Sequence, residues 1–270
     1  MHLEIKHTTS YKYKTSASYS IQCLRLTPPS FDGQKVVSWR ISAPGFEKAS
    51  SYRDGFGNLV HVVTLTQDHD SVSVEAKGVV ETQDKSGIIQ GLPDAFPLRN
   101  FLRFTESTTP DSTIRDLALH SEANDTLNTL HHLMVNLNKA LKYEIGATEV
   151  HTNAAEALSM GKGVCQDYAH IFVAAARILD IPARYVNGYF LISEAQDPSY
   201  AHHGWAEAWV EGLGWVGFDA TNLTCPTDRY VRLATGLDAQ SAAPIRGTRR
   251  GGEKEALDVT VEVQQQKGQQ

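Results

Sequence analysis

The sequence predicts an α+β fold: an N-terminal antiparallel, sandwich-like β domain, then a domain in which a cysteine-bearing helix packs on an antiparallel sheet. Three observations predict it. Up to about residue 82 the chain is a series of short runs of β-formers broken by turn signals. Between residues 110 and 180 apolar residues recur at helical spacing, and beyond Ile181 the period falls back to two. At 270 residues the chain has reached the size where a single core splits, and the change of pattern sets the expected domains at 1–105 and 106–270.

In the first domain Tyr11-Lys-Tyr-Lys14 alternates, Val36 to Ile41 is rich in β-formers, and Leu59 to Leu65 and Ser71 to Ala76 are further strands. Turns separate them at Thr27-Pro-Pro-Ser30, Ala43-Pro-Gly45 and Arg53-Asp-Gly-Phe-Gly-Asn58. Nothing here has the residue types of a reactive site. Cys23, His2, His7, His61 and His69 are read as packing or surface residues. Residues 83–113, with Pro93, Pro97 and Pro110, read as a connection, and Thr109-Pro110 as the start of a helix.

Leu127, Leu130, Leu133, Leu137 and Leu141 predict a helix over 125–142 that buries one stripe, with His131 and His132 beside it. Asn153 and Glu156 are spaced as a capping box for a short helix over 154–160. A glycine-rich turn, Gly161-Lys-Gly-Val164, then opens a helix whose apolar face runs Cys165, Ala169, Phe172, Ala176, Leu179. A thiol at that start feels the positive end of the helix dipole, which favours the nucleophilic thiolate. The competing role for Cys165 is that of a small apolar filler.

Arg184 to Ile192 reads as a strand, and Ser193 to Tyr200 as a polar loop. The runs His203 to Glu211 and Trp215 to Asp219, joined by Gly212-Leu-Gly214, form a hairpin. Arg246 to Gly252 is basic and glycine-rich and reads as a mobile loop, and Leu257 to Val263 alternates as a last strand before a short tail.

Hydrophobic residues at 41% provide a core, and a net charge of −6 argues against nucleic acid or an anionic membrane as partner. No signal pattern or spanning apolar run is present, so the expected location is cytoplasmic. Three scattered cysteines, Cys23, Cys165 and Cys225, suggest neither a disulfide framework nor a zinc site. Eleven histidines include no metal-binding helix motif, so no metal and no cofactor is expected.

The hairpin supplies what a catalytic Cys165 needs, an imidazole and a group to orient it. A turn at 212–214 sets Asp219 opposite positions 205–207, which share parity with His203, so both side chains use one face. Other residues compete for these roles. His202 points to the opposite face, His170 is rotated off the thiol's side of its helix, and Asp167 is too near Cys165 in sequence. Asn222 faces away if the strand continues. Glu207 shares the face of His203 and is a candidate supporting group.

Four blocks carry a family resemblance: Gly163-Val-Cys-Gln-Asp-Tyr-Ala-His170, Ile181-Pro-Ala-Arg-Tyr-Val-Asn-Gly-Tyr189, His203-Gly-Trp-Ala-Glu-Ala-Trp209 and Gly214-Trp-Val-Gly-Phe-Asp-Ala-Thr-Asn222. In this order they resemble the transglutaminase-like superfamily, whose fold is that of papain-like cysteine proteases. Tyr11-Lys-Tyr13, Leu24 to Pro28 and Asp54-Gly-Phe-Gly-Asn58 resemble the N-terminal region of its bacterial cysteine-peptidase branch. The resemblance implies Cys165 as nucleophile, His203 as base and then acid, and Asp219 as orienter. It also implies acyl transfer on an amide of a peptide or protein substrate, hydrolysis being expected over glutamine–amine cross-linking. A silent binding module is the rival from another class. Gly204 stands where the family often has alanine, and Ala220 where it often has proline. The Cys165 N–H is the expected oxyanion donor, and Gln166 a second candidate.

Overall fold

The structure, a computed structural model, describes residues 1–92, 96–192 and 202–266. The chain opens with one strand of 23 residues, β1 (His2–Leu24), where the alternation of Tyr11 to Lys14 had marked only a fragment. Its burial alternates over Leu3, Ile5, His7 and Thr9, the mark of a half-buried strand. Then come β2 (Gln34–Ser42), β3 (Ser50–Arg53), β4 (Leu59–Leu65) and β5 (His69–Thr82). The register of β1 on β5 shifts between Lys12 and Ala17, so its two halves take different neighbours. The first half lies between β5 and β14 (Glu255–Gln265), the second between β4 and β13 (Ile245–Gly251).

Two expectations change here. Arg246 to Gly252 is not a mobile loop; it is β13, held antiparallel to β1 from Leu24↔Ile245 to Ala17↔Gly251. The last two strands, expected with the second domain, complete the first sheet. In exchange β6 (Ile88–Ile89), from the supposed connection, pairs with the second sheet at Trp215↔Ile89.

The helical region comprises α1 (Ser112–Leu119), α2 (Thr126–Ala140), α3 (Ala154–Met160) and α4 (Cys165–Ile178). Helix α1 starts two residues later than Thr109-Pro110 suggested, because Asp111 caps it by accepting from Ile114 N–H at 2.9 Å. Asp125 caps α2 in the same way, and Asn153 and Glu156 form the expected reciprocal box on α3. A short parallel pair, β7 (Lys142–Tyr143) and β8 (Lys162–Gly163), brackets α3.

Helix α4 is central rather than one-sided: every residue from Asp167 to Arg177 is buried. Helices α1, α2 and α3 cover one side, and β9 (Ala183–Phe190) and β10 (His202–Val210) the other. Small residues at Ala169, Ala174, Ala175 and Ala176 permit the close approach. The buried Arg177 guanidinium donates to the carbonyls of Phe101, Ala183 and Leu237 and to Thr108 Oγ1, which fixes the far end of the helix.

The second sheet runs β12-β9-β10-β11-β6, with β11 (Gly214–Phe218) and β12 (Tyr230–Gly236) on either side of the β9–β10 pair. Its helix-facing residues Ala206, Ala208, Val216 and Phe218 share a core with α4. Tyr189, Val231, Leu233 and Ala234 share another with Leu3, Ile5, Val72 and Val74 of the first sheet. The two sheets therefore form a continuous packed body. Among the described residues no helix is long and apolar enough to cross a membrane.

Candidate active site

The hairpin register places the histidine and aspartate. Pairs run from Val210↔Gly214 to Ala206↔Phe218, so Asp219 stands next, opposite Trp205 and one pleat from His203. Gly212 and Gly214 supply the positive φ values, 83° and 86°, that so tight a turn needs. The remaining gap closes by side-chain reach: His203 Nε2 lies 2.7 Å from Asp219 Oδ2. That leaves Nδ1 for the thiol.

Asp219 is held from all sides. Its Oδ2 also accepts from Tyr230 Oη at 2.7 Å and from Asn222 Nδ2 at 2.7 Å. Oδ1 accepts from the backbone N–H of Thr221 at 3.0 Å and of Asn222 at 3.3 Å. Burial opposes ionisation, but the neighbouring His203 and these hydrogen bonds outweigh it and hold the carboxyl below its ordinary range. The turn carrying it is fastened to α2, where Asn138 Nδ2 donates to the carbonyls of Ala220 and Thr221.

Parity set Asn222 aside, and the structure corrects that reading. Strand β11 stops at Phe218, and the backbone closes on itself through a bridge between Asp219 and Thr224, which brings the Asn222 amide back to Asp219. Tyr230 comes from β12, and no spacing in the sequence links it to the hairpin.

Cys165 is the first residue of α4, so its N–H is among those without an intrahelical partner. The start is stabilised by Asp167, whose Oδ2 accepts from Val164 N–H at 2.8 Å and from Thr148 Oγ1 at 2.7 Å. Asp167 thus caps the helix. A Cβ on Gly163 would sit 2.7 Å from that same oxygen, which is why glycine stands there. His203 responds to the arrangement. Burial disfavours the imidazolium, yet the Asp219 carboxylate and the Cys165 thiolate together raise the ring to about 10. The ring is therefore held as imidazolium, with the Asp219 carboxylate behind it.

The other candidates fall elsewhere. His202, on the opposite face of β10, lies 5.9 Å from the His7 ring, and burial followed by the charge of His203 lowers it to about 4. His170 is buried against Tyr185 at 5.2 Å, and its Nε2 accepts from Ala239 N–H. The Gln166 amide is engaged with the Val150 carbonyl at 3.4 Å. Glu207 touches neither His203 nor Asp219. It is fully buried between Arg184 of β9 at 2.6 Å and Arg232 of β12 at 2.8 Å, and ties three strands together. Among the described residues no group of three or more His, Cys, Asp or Glu is placed to hold a metal. The polar loop Ser193 to Tyr200 lies outside the described residues.

A cysteine at a helix start, with an imidazole and carboxylate on adjoining strands, is the arrangement of a papain-like thiol site. Comparison agrees with that class. Residues 3–81 match the bacterial transglutaminase-like N-terminal region, and residues 116–220 the transglutaminase-like superfamily. The chain is 28% identical to the uncharacterized protein ML0607 of Mycobacterium leprae, over 97% of this chain and 98% of that one. It is 26% identical to the uncharacterized protein Rv2569c of Mycobacterium tuberculosis, over 96% and 91%. The crystal structure of a protein named "Putative Cysteine Protease" from Cytophaga hutchinsonii superposes with a TM-score of 0.76 at 22% identity. That match covers 98% of this chain and 90% of the other, and it shows the fold.

Proposed function

We propose that the protein is a thiol-dependent acyl-transfer enzyme acting on amide or peptide bonds, with water as the usual acceptor. The observation that carries this is the 2.7 Å bond between His203 Nε2 and Asp219 Oδ2 in front of a helix that begins with Cys165. The Cys165 thiolate attacks the amide carbonyl carbon and forms the C–S bond. As the tetrahedral adduct collapses, the C–N bond breaks and the amine leaves with the proton of His203 Nδ1. His203 then takes a proton from water as it attacks the thioester, which releases the carboxylic acid and restores the thiol. Asp219 keeps the ring oriented through both transfers. Water is the acceptor that any thioester meets unless the site excludes it.

The test is alkylation followed by turnover. Cys165 should react with iodoacetamide at pH 6 much faster than Cys23 or Cys225, and Cys165→Ala should abolish amide hydrolysis. Equal reactivity of the three cysteines would remove the enzyme reading and leave a binding module. Incorporation of a labelled primary amine into a glutamine peptide, lost in Cys165→Ala, would make the acceptor an amine and the protein a cross-linker.

A further inference from the structure

The reaction proposed above develops a negative charge on the carbonyl oxygen, and one donor for it, the Cys165 N–H, is already at the helix start. A second donor emerges from a departure in the sequence. Gly204 lies on the helix-facing side of β10, in phase with Ala206 and Ala208, which pack against α4. A Cβ built on Gly204 would lie 2.2 Å from the hydroxyl oxygen of Tyr185 and 2.9 Å from the ring carbon that bears it. No side chain fits in that space, so an alanine there would expel the hydroxyl. The Tyr185 ring packs on Ala169, one turn along α4 from Cys165. Its hydroxyl therefore sits over the residue next to His203, at the Cys165 end of the helix.

Tyr185 is 3% exposed; its hydroxyl makes no hydrogen bond among the described residues and is not one of the oxygens sealed from solvent, so it opens on the site. A buried tyrosine hydroxyl usually finds a partner. Three others that are at most 5% exposed do: Tyr189 meets His7 Nδ1, Tyr230 donates to Asp219, and Tyr168 donates to the Leu141 carbonyl. Burial, followed by the negative charge of Cys165, keeps the Tyr185 phenol protonated and thus a donor at any working pH.

We infer that Tyr185 Oη is the second oxyanion donor of this site, acting with the Cys165 N–H, and that Gly204 is glycine to leave the hydroxyl room. The inference rests on the thiol reading above. It replaces Gln166, whose amide is committed to Val150. The tyrosine does not act on the thiol; it acts on the acyl oxygen once the C–S bond forms.

Two reagents separate these effects. Iodoacetamide alkylates a thiolate by displacement and generates no oxyanion, whereas 4-nitrophenyl acetate acylates it through a tetrahedral adduct that does. In Tyr185→Phe, pre-steady-state acylation should fall by about 100-fold, the usual loss for one oxyanion donor, while alkylation stays within about threefold of wild type. Gly204→Ala should show the same split. If Tyr185→Phe acylates at the wild-type rate, the inference is overturned. A matched loss in both reactions would overturn it too, by assigning the hydroxyl to the thiol. Should Gly204→Ala fail to fold, the near-isosteric Tyr185→Phe still decides the matter. Failure of the underlying reading is distinct, because wild-type Cys165 would then alkylate no faster than Cys23.

Discussion

Replacing Glu207 by Gln should destabilise the protein severely while leaving the thiol chemistry almost unchanged. The carboxylate is fully buried and bonds Arg184 Nε at 2.6 Å, Arg232 Nε at 2.8 Å and Arg232 Nη2 at 3.4 Å. Burial alone would raise its pKa, yet the two guanidinium groups hold it below the ordinary range. The amide keeps one acceptor oxygen, so one guanidinium loses its charge-assisted bond and both lose their counter-charge. Each such bond contributes about 1.5–3 kcal/mol, and breaking a buried pair costs about 3–5 kcal/mol. At about 2–4 °C per kcal/mol for a chain of this size, Tm should fall by roughly 6–20 °C. Thermal unfolding followed by circular dichroism measures this directly. Arg232→Met is the internal comparison, since it leaves Glu207 paired with Arg184 and should cost less. Below the lowered Tm, alkylation of Cys165 should keep its wild-type pH dependence. A Tm within 2 °C of wild type, or a changed pH profile in folded Glu207→Gln, would refute the view that Glu207 supports strands rather than His203.

Other outcomes follow from the same geometry. In Asp219→Asn the carboxylate that raises His203 is lost, so alkylation of Cys165 at pH 6 should slow at least tenfold, read by mass spectrometry on protein kept below its own, lowered Tm. Acid should weaken the fold before it titrates the site. Burial depresses His7 to about 3, and His170 and His202 to about 4, against an unfolded value of about 6.5. Because these folded values lie below the unfolded one, their neutral forms contribute full stability above pH 6.5, and that contribution is lost progressively as pH falls. At pH 5 each histidine costs about 2 kcal/mol relative to neutral pH, and the urea midpoint should drop accordingly; an unchanged midpoint between pH 7 and 5 counts against it. In Asn58→Ala, the reciprocal bonds to the N–H and carbonyl of Thr235, 2.9 and 2.8 Å, are both lost. Two stranded buried groups should cost about 2–4 kcal/mol in denaturant unfolding.

The candidate site was legible in the sequence where it depends on local geometry. A short glycine turn fixes hairpin register, so the parity of His203 and Asp219 follows by counting, and the glycine break before Cys165 marks a helix start. What depends on pairing across the chain left no such mark. The β13 segment carries the glycines and arginines of a loop, yet β1 holds it by backbone bonds, and Gly247 lets the strands close, since a Cβ there would lie 2.5 Å from the Ile21 carbonyl oxygen. Helix α4 reads as one-sided because Asp167, His170 and Arg177 look like a solvated face. Each is buried with its own partners instead: the Val164 N–H, the Ala239 N–H and a set of carbonyls. Asn222 was misplaced by assuming that the strand continues, and the bridge from Asp219 to Thr224 ends it.

The N-terminal sheet has a part in this site even though it holds none of the proposed reacting groups. Strands β9 and β12 bear Tyr185, Tyr189, Tyr230 and Arg232, and their residues Tyr189, Val231, Leu233 and Ala234 would be bare apolar surface without the first sheet. Three polar contacts set their position more sharply than apolar packing can. Gln34 spans the Arg232 backbone, accepting from its N–H at 2.8 Å and donating to its carbonyl at 2.9 Å. Asn58 does the same at Thr235, and His7 holds Tyr189 at 2.9 Å. A clasp on both backbone groups of one residue fixes a strand along its axis, which hydrophobic burial, being non-directional, does not. Tyr230, whose hydroxyl meets Asp219, lies two residues from the Gln34 clasp. The first sheet thus sets the depth at which β12 presents that hydroxyl, and through Asp219 the orientation of the His203 ring.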